Sequence, residues 1–328
     1  MSDRSPQLSL FEPPDPDPAP PTDRDRLADV HRQAAELAAR LPPQLHFGTS
    51  SWAFPGWRGL VYSSETQQSR LARDGLREYS AHPLLTTVGI DRSYYAPIPD
   101  EDLRRYSEQL PDGFLACAKA PAAVTSPVFF DGSRRASPNP DYFSADRLAT
   151  DLLEPFARSF RTHTGPFILE FPPPPRDTPL EPSRFVEQLD RLLEAASKDF
   201  SFAIELRSRT LLTAAYQRVL ARHRAAHVYN YWSFMPMPGV QATVVPPGSA
   251  DFVVVRLLLR PGTRYEDQRE IFRPFNRLVQ PDEEMRLDVT RLLKRSLSAG
   301  QRAYVLVNNK AEGSSPLTVH ALAELMAG

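Results

Sequence analysis

Residues 201–207 read SFAIELR, and residues 252–258 read FVVVRLL. Each run is short, rich in aromatic or β-branched residues, and typical of a buried β-strand. Six further runs of this kind lie along the chain at 45–50, 84–91, 114–120, 166–171, 226–232 and 302–308. The sequence therefore contains eight predicted strands.

Helical periodicity fills most of the intervals between these strands. It is found at about 66–82, 100–110, 146–163, 181–196, 213–224, 282–299 and 316–326. Eight successive strand–helix units predict an α/β fold, a (β/α)8 TIM-type barrel over residues 44–328. A doubly wound sheet is the alternative, but it requires a glycine-rich first turn that Gly48-Thr49-Ser50-Ser51 does not provide. No helix is predicted for the proline-rich segment 233–250.

The N-terminal part of the chain differs in composition from the rest. Residues 11–22 read FEPPDPDPAPPT, and this alternation of Pro and Asp predicts a disordered, extended tail over residues 1–22. An additional N-terminal helix is predicted within residues 23–43. Thr22 is a suitable N-cap for it, and Pro42-Pro43 ends it.

Within this tail, Gln7-Leu8-Ser9-Leu10-Phe11 resembles the pentapeptide with which bacterial DNA repair and replication proteins bind the DNA polymerase sliding clamp. In such ligands the Gln forms hydrogen bonds and the Leu-Phe pair fills an apolar pocket. Exposed apolar residues on a polar arm usually mark a partner. The resemblance implies a clamp contacted by Gln7, Leu8, Leu10 and Phe11. Packing of these residues on the surface of the barrel is the alternative.

Composition excludes several classes of protein. The 328 residues carry a formal net charge of −1, which argues against a strongly basic protein that wraps nucleic acid, although a local basic groove is compatible with it. Cys117 is the only cysteine, so neither an intrachain disulfide nor a cysteine-based zinc site can form. The chain shows neither a signal peptide nor an apolar run of membrane-helix length, and we expect a cytoplasmic protein without membrane contact.

Strand parity predicts which side chains face the inside of the barrel. On 201–207, Phe202, Ile204 and Leu206 alternate with Glu205 and Arg207. The apolar set therefore faces the helices, and the charged pair faces inward. The same reasoning directs further polar groups to the C-terminal strand ends, where barrel enzymes hold their active sites. These groups are Asp91, Lys119, Glu170, Asn230, Arg256, Asn308 and Asn309.

Charges inside a barrel are costly unless they are paired, so two interpretations stay open. One is a salt-bridge network that closes the barrel mouth, and the other is a polar pocket for a substrate. In the second interpretation, Lys119, Glu170 and Glu205 are the catalytic candidates. The substrate-binding candidates are the other polar strand ends and nearby aromatic residues: Trp52, Trp57, Asp91, Tyr94, Tyr95, Arg207, Asn230, Arg256, Asn308 and Asn309.

Several of these motifs together resemble the YecE-like family, known as domain of unknown function 72. The matching stretches are Gly48-Thr49-Ser50-Ser51-Trp52, Trp57-Arg58-Gly59, Lys119-Ala120-Pro121, Phe171-Pro172-Pro173, Glu205-Leu206-Arg207 and Asn308-Asn309. The resemblance spans about residues 45–326 and implies a TIM barrel of unknown activity. Gly89 stands where the family has a Glu, and Glu170 stands where it has a Gln. Segment 122–145 is interpreted as an insertion.

Cofactor chemistry finds little support in the sequence. None of the seven histidines falls at a predicted C-terminal strand end, so we predict no metal site of the histidine-rich zinc type. Asp91, Glu170 and Glu205 offer oxygen ligands to Mg²⁺, but three carboxylates on separate strands support this only weakly. Glu170 and Glu205 on neighbouring strands also fit a glycosidase pair, although such enzymes commonly place the second carboxylate near strand seven, where this chain has Arg256.

Several cations at one mouth favour an anionic ligand. The first hypothesis is a hydrolase or lyase acting on a phosphate-bearing substrate, related to nucleic acid and DNA repair and tethered to the sliding clamp. The second is an enzyme acting on a small sugar or sugar phosphate. The third is a barrel that binds anions without catalysis.

Overall fold

The computed structural model describes residues 22–130, 136–173 and 181–328. The predicted tail, apart from Thr22, and the peptide predicted to bind the clamp, Gln7 to Phe11, lie outside the described residues.

Ten strands are present in the described chain. They are β1 (Leu45–Thr49), β2 (Thr87–Ile90), β3 (Leu115–Ala118), β4 (Val128–Phe130), β5 (Ala136–Pro138), β6 (Phe167–Phe171), β7 (Phe202–Leu206), β8 (Ala226–Tyr231), β9 (Phe252–Leu257) and β10 (Arg302–Val307). Eight of them pair in parallel in the order β3-β2-β1-β10-β9-β8-β7-β6. All eight predicted strands are thereby confirmed.

The two ends of this sheet meet and bring the barrel close to full closure. β3 and β6 are joined by isolated bridges from Ala116 to Thr164 and from Lys119 to Ile168. The Ala120 amide continues this contact by donating to the Ile168 carbonyl at 2.8 Å. β4 and β5 form a separate antiparallel hairpin inside the segment predicted to be an insertion.

The helices surround this barrel. They are α1 (Asp23–Ala38), α2 (Gln68–Asp74), α3 (Leu76–Ser80), α4 (Asp100–Ser107), α5 (Ala122–Thr125), α6 (Ala145–Leu148), α7 (Glu154–Ser159), α8 (Pro182–Ala195), α9 (Ala214–His223), α10 (Pro238–Val244), α11 (Tyr265–Phe272), α12 (Glu283–Ser298) and α13 (Ser315–Ala327). A π-helical turn joins α6 to α7. In the part of the chain that the structure describes, no helix has the length and apolar character to cross a bilayer.

The prediction that 233–250 contains no helix is wrong, because α10 lies there. Pro238 occupies the first turn of α10, where a missing backbone N–H costs nothing. Gln241 and Ala242 anchor the helix by being buried. Helix α11 was not predicted either, and its buried residues Gln268 and Phe272 hold it in place.

The additional N-terminal helix forms as predicted. Thr22 and Asp25 make a reciprocal capping box, in which each side chain accepts a hydrogen bond from the other residue's backbone N–H. The helix packs against α13 through the buried Ala34. Beyond its end, the Arg40 guanidinium donates to the Ala327 carbonyl at 2.7 Å. These contacts attach α1 to the barrel.

Strand parity is also confirmed. Cys117, Ile168 and Val254 belong to an apolar cluster inside the barrel, whereas Ile204 and Leu206 belong to the larger cluster between the sheet and the helices. At the carboxyl ends of the strands, Glu170 lies opposite Glu205 across β6 and β7. Asn230 lies opposite Arg256 across β8 and β9 in the same way. The interior therefore changes from apolar to charged at the C-terminal end.

Candidate functional site at the barrel mouth

Six charged side chains from five strand ends form one ion-pair network, which we call the buried network: Asp91, Lys119, Glu170, Glu205, Arg207 and Arg256. Arg256 is at its centre. Its Nη1 lies 2.5 Å from Glu205 Oε2 and 3.2 Å from Glu170 Oε2, and its Nη2 lies 3.2 Å from Asp91 Oδ1. One guanidinium therefore connects three strands of the barrel.

The other two cations complete the network. Arg207 Nη2 lies 2.8 Å from Glu170 Oε2 and 2.7 Å from Glu205 Oε1. Lys119 Nζ lies 2.9 Å from the same Glu170 oxygen. Three cations thus face three carboxylates, and the network carries no net formal charge. The centre of the mouth is a closed salt-bridge network, which was the first of the two interpretations of these charges.

Burial makes this balance necessary. The side chain of Glu205 is completely buried and that of Arg256 is only 2% exposed, whereas that of Asp91 is 32% exposed. Removing one partner of a buried ion pair leaves an uncompensated charge in a medium that solvates it poorly. Asp91 is the member of the network with the most access to solvent.

The network shifts the pKa values of two of its members. Burial alone would raise the pKa of Glu170, but the charges of Arg207, Lys119 and Arg256 outweigh burial and hold this pKa well below its ordinary value. Burial alone would lower the pKa of Arg256, but Glu205, Asp91 and Glu170 raise it. Both groups are therefore charged at neutral pH.

A neutral hydrogen-bond chain supports the network from below. Asn230 Nδ2 donates to the Leu206 carbonyl at 2.8 Å and to Glu205 Oε1 at 3.4 Å. Gln241 of α10 donates to the Asn230 carbonyl at 2.6 Å and accepts from the ring of His227 at 3.1 Å. Burial lowers the pKa of His227 to about 4, so its imidazole is neutral at pH 7. Gln241 therefore holds Asn230 in its position beneath Glu205.

Two aromatic rings cover the cations of the network. Lys119 Nζ lies 3.9 Å from the centre of the Tyr94 ring, and Arg207 Cζ lies 3.9 Å from that of Trp232. Both distances are within the range of cation–π attraction. Burial and the charge of Glu170 raise the pKa of Tyr94, so its phenol is neutral. Tyr94, which was predicted to bind substrate, therefore lies directly against the buried network.

An open cavity of about 640 Å³, which we call the mouth cavity, lies beside the buried network. Asp91 belongs to both, and two further residues predicted to bind substrate, Tyr95 and Asn308, also line the cavity. Most of the other lining residues were not predicted, among them Ser50, Tyr265, Arg269, Arg273 and Lys310. Three of these lie on or directly after α11, which was itself not predicted. The high density of arginine in 264–277 is the signal that could have indicated them.

Gly89 allows the β1 end to reach this cavity. A Cβ atom at Gly89 would lie 2.8 Å from the Ser50 carbonyl oxygen, which is closer than real contacts allow. A larger residue at this inward position would therefore displace the segment that carries Ser50. The departure from the family pattern at Gly89 thus has a local structural reason.

Three residues predicted to bind substrate lie in the core instead. Trp52 is buried and its indole N–H donates to the Leu71 carbonyl at 2.9 Å. Trp57 is buried and its indole donates to Asn309 Oδ1 at 3.1 Å. Asn309 also accepts from the Ser315 backbone and hydroxyl, which ties the end of β10 to α13. These residues stabilise the loops beneath the mouth and are inaccessible to a ligand.

The geometry also bears on the two alternative chemistries. Within residues 22–130, 136–173 and 181–328, no group of three or more His, Cys, Asp or Glu side chains is placed to hold a metal ion. Instead, Arg256 lies between the three carboxylates that we considered for Mg²⁺. Arg207 and Arg256 also bridge Glu170 to Glu205, which leaves no room between them for the glycosidic bond that a glycosidase pair must flank.

Comparison with known proteins agrees with this architecture. The model of the family described as "Protein of unknown function DUF72" matches residues 46–328. The chain belongs to the DUF72 family. No curated protein matches it.

Two solved DUF72 structures share the fold. A DUF72 family protein from Thermotoga maritima MSB8 has a TM-score of 0.60 at 19% identity, covering 87% of this chain and 99% of that one. A DUF72 family protein from Enterococcus faecalis V583 has a TM-score of 0.60 at 15% identity, covering 85% of this chain and 95% of that one. At these identities, the similarity supports the barrel fold alone.

Proposed function

We propose that this DUF72 barrel is an enzyme, a hydrolase or lyase, that acts on an anionic, phosphate-bearing substrate bound in the mouth cavity. The charge of the cavity carries this proposal. Asp91 is the only carboxylate in the described lining, and it is paired with Arg256. Arg269 and Arg273 face the cavity, and neither takes part in an ion pair within the described chain. The cavity therefore has an excess of positive charge, unlike the neutral network beside it.

The buried network supplies the chemistry in this proposal. Lys119 and Glu170 keep a small exposed fraction, and we assign them to proton transfer. Lys119 donates to Glu170, and this arrangement does not suit the free amine that a Schiff-base nucleophile requires. Glu205 is completely buried, so it acts as a positioning residue for Arg207 and Arg256.

Binding is tested with pyrophosphate as the probe. We expect pyrophosphate to raise the melting temperature of the wild type, because a ligand that binds only the folded state stabilises it. The double variant Arg269→Met/Arg273→Met should lose most of this shift. Lys294→Met, which removes an exposed cation on α12, is the matched control and should keep it. A wild type that pyrophosphate does not stabilise would refute the anionic site.

Catalysis is tested with p-nitrophenyl phosphate and bis(p-nitrophenyl) phosphate. We expect Lys119→Met to lower kcat by a factor of about 10² to 10⁴, the usual contribution of a positioned acid or base. Circular dichroism and pyrophosphate binding check that the variant is folded. If the wild type binds pyrophosphate but hydrolyses neither ester, the protein is an anion-binding barrel and not the proposed enzyme.

The sliding clamp is the proposed tether. Gln7-Leu8-Ser9-Leu10-Phe11 supports it by resemblance, and α1 attaches the tail to the barrel. A tether raises the local concentration of DNA at the barrel and makes weak contacts sufficient. Immobilised bacterial clamp should capture the full chain but not Leu10→Ala/Phe11→Ala. Pro18→Ala/Pro20→Ala, a change in the same tail outside the motif, is the control and should be captured normally.

A further inference from the structure

The mouth cavity contains a buried lysine without an acidic partner. Lys310 is 6% exposed, and its Nζ donates to Asn308 Oδ1 at 3.1 Å. The same ammonium lies 4.4 Å from the centre of the Tyr265 ring. In the part of the chain that the structure describes, no carboxylate lies within ion-pair distance of it, in contrast to Lys119. A buried cation without a counter-charge is costly, and an anionic ligand would remove that cost.

A second buried polar group in the cavity lacks a partner. Ser50 is 2% exposed, and its hydroxyl has no hydrogen-bond partner among the described residues. It lines the same cavity as Lys310. A hydroxyl donor and an ammonium in one recess suit the oxygens of a phosphate group. The cavity lies beside the loop after the last barrel strand, where TIM barrels frequently bind phosphate.

Two exposed tyrosines flank this recess. Tyr95 is 82% exposed and Tyr265 is 44% exposed, and both line the cavity. Exposed aromatic side chains provide flat surfaces on which unpaired bases stack. A sugar phosphate would use the phosphate recess but has no flat ring for these tyrosines.

We infer that the mouth cavity is a binding site for single-stranded nucleic acid. One backbone phosphate sits between Ser50 and Lys310, and neighbouring bases stack on Tyr95 and Tyr265. Asn308 positions Lys310, and Arg269 and Arg273 follow the strand as it leaves the cavity. This inference rests on the proposed function and names its substrate class. A base in a duplex is stacked on its neighbours and offers no free face, so duplex DNA does not satisfy the site.

The affinity of the full chain for fluorescein-labelled dT10 tests the inference through fluorescence anisotropy. We expect dT10 to bind more tightly than a 10-base-pair duplex. Tyr95→Ala should weaken binding of dT10 by about fivefold to 100-fold, the usual loss for one stacked base. Lys310→Met should weaken it and lower the slope of log Kd against log salt by about 0.7, the value for one phosphate of a single strand.

Matched controls separate local contacts from general effects. Phe234 is 73% exposed and lies outside the cavity lining, so Phe234→Ala should leave binding of dT10 unchanged. Lys294→Met should leave the salt slope unchanged. Cross-linking of the wild type to a dT10 that contains 5-bromouracil removes any dependence on variant folding. Peptides that contain Tyr95 or Tyr265 should carry the label.

Each outcome of these experiments either supports or overturns the inference. Weaker binding in both cavity variants, together with labelling at either tyrosine, supports the inference, and an rU10 probe then shows whether RNA is equally accepted. Equal affinity for duplex, or labelling elsewhere, overturns it. Glucose 6-phosphate and thymidine monophosphate are compared as competitors of dT10. If both displace dT10 at similar concentrations, the inference is overturned in favour of a sugar-phosphate site. If pyrophosphate binds but dT10 does not, this inference fails while the proposed function survives; if neither binds, both fail.

Discussion

The buried network and the mouth cavity lie side by side at the end of the barrel, and both contain several cations, but they differ in how these charges are satisfied. In the network each cation pairs with a carboxylate of the chain itself. In the cavity Lys310, Arg269 and Arg273 have no carboxylate partner within the described residues. The comparison shows that the number of cations at a barrel mouth does not identify an anion site. We propose that the cations without a carboxylate partner are the ones that hold an anion.

The largest expected effect breaks the network at its centre. Arg256→Met should destabilise the protein by about 3–5 kcal/mol, because it leaves Glu205, Glu170 and Asp91 without their shared partner. Urea unfolding measures this change. Arg269→Met removes an exposed arginine of the cavity and should cost less than about 0.5 kcal/mol. If both variants lose the same free energy of unfolding, the network and the cavity do not differ in how their cations are paired.

The pH dependence of stability should report on the carboxylates of the buried network. The folded state holds the pKa of Glu170 below its ordinary value of 4.5, so its contribution is present above pH 4.5 and is lost as the pH falls below that value. Glu170→Gln should lower stability at pH 7 by about 2 kcal/mol, as for hydrogen bonds to charged groups. It should also flatten the stability curve below pH 4.5. If the stability of this variant falls as steeply below pH 4.5 as that of the wild type, other carboxylates cause the loss.

A smaller effect is expected from the neutral support beneath the network. Gln241→Met leaves the Asn230 carbonyl and the His227 ring without their partner, which should cost about 1–2 kcal/mol. Affinity for pyrophosphate in the mouth cavity should not change, because Gln241 does not line the cavity. Parallel urea unfolding and pyrophosphate titration would measure both quantities. A large loss of pyrophosphate affinity would show that the two regions act as one.

Periodicity made most of the fold predictable. The alternation of Ile204 and Leu206 with Glu205 and Arg207 was sufficient to place the charges inside the barrel, because a strand turns successive side chains to opposite faces. Periodicity did not predict helices α10 and α11, because they are short and lie among prolines and glycines. Tertiary packing of Gln241 and Phe272, not local propensity, stabilises them.

The aromatic residues mark the limit of prediction for the site. Trp52 and Tyr95 both follow predicted strands and looked alike in the sequence. The structure buries Trp52 against Tyr106 and leaves Tyr95 in solvent. Nothing in the local pattern distinguishes them, because the exposure of a loop residue depends on which distant segments pack above it. Lys119 and Lys310 differ for the same reason, since only the fold determines which lysine meets a carboxylate.

The sequence by itself determined the barrel and the helix that precedes it. It also determined that the charged residues lie at the C-terminal end of the barrel. These follow from short-range periodicity and from the chemistry of helix caps, which act between residues close in the chain. Only the tertiary structure decided which charges neutralise one another and which remain available. Ion pairing depends on distances of a few ångströms between residues far apart in sequence, such as the 86 positions between Glu170 and Arg256. Those distances exist only after the barrel has closed.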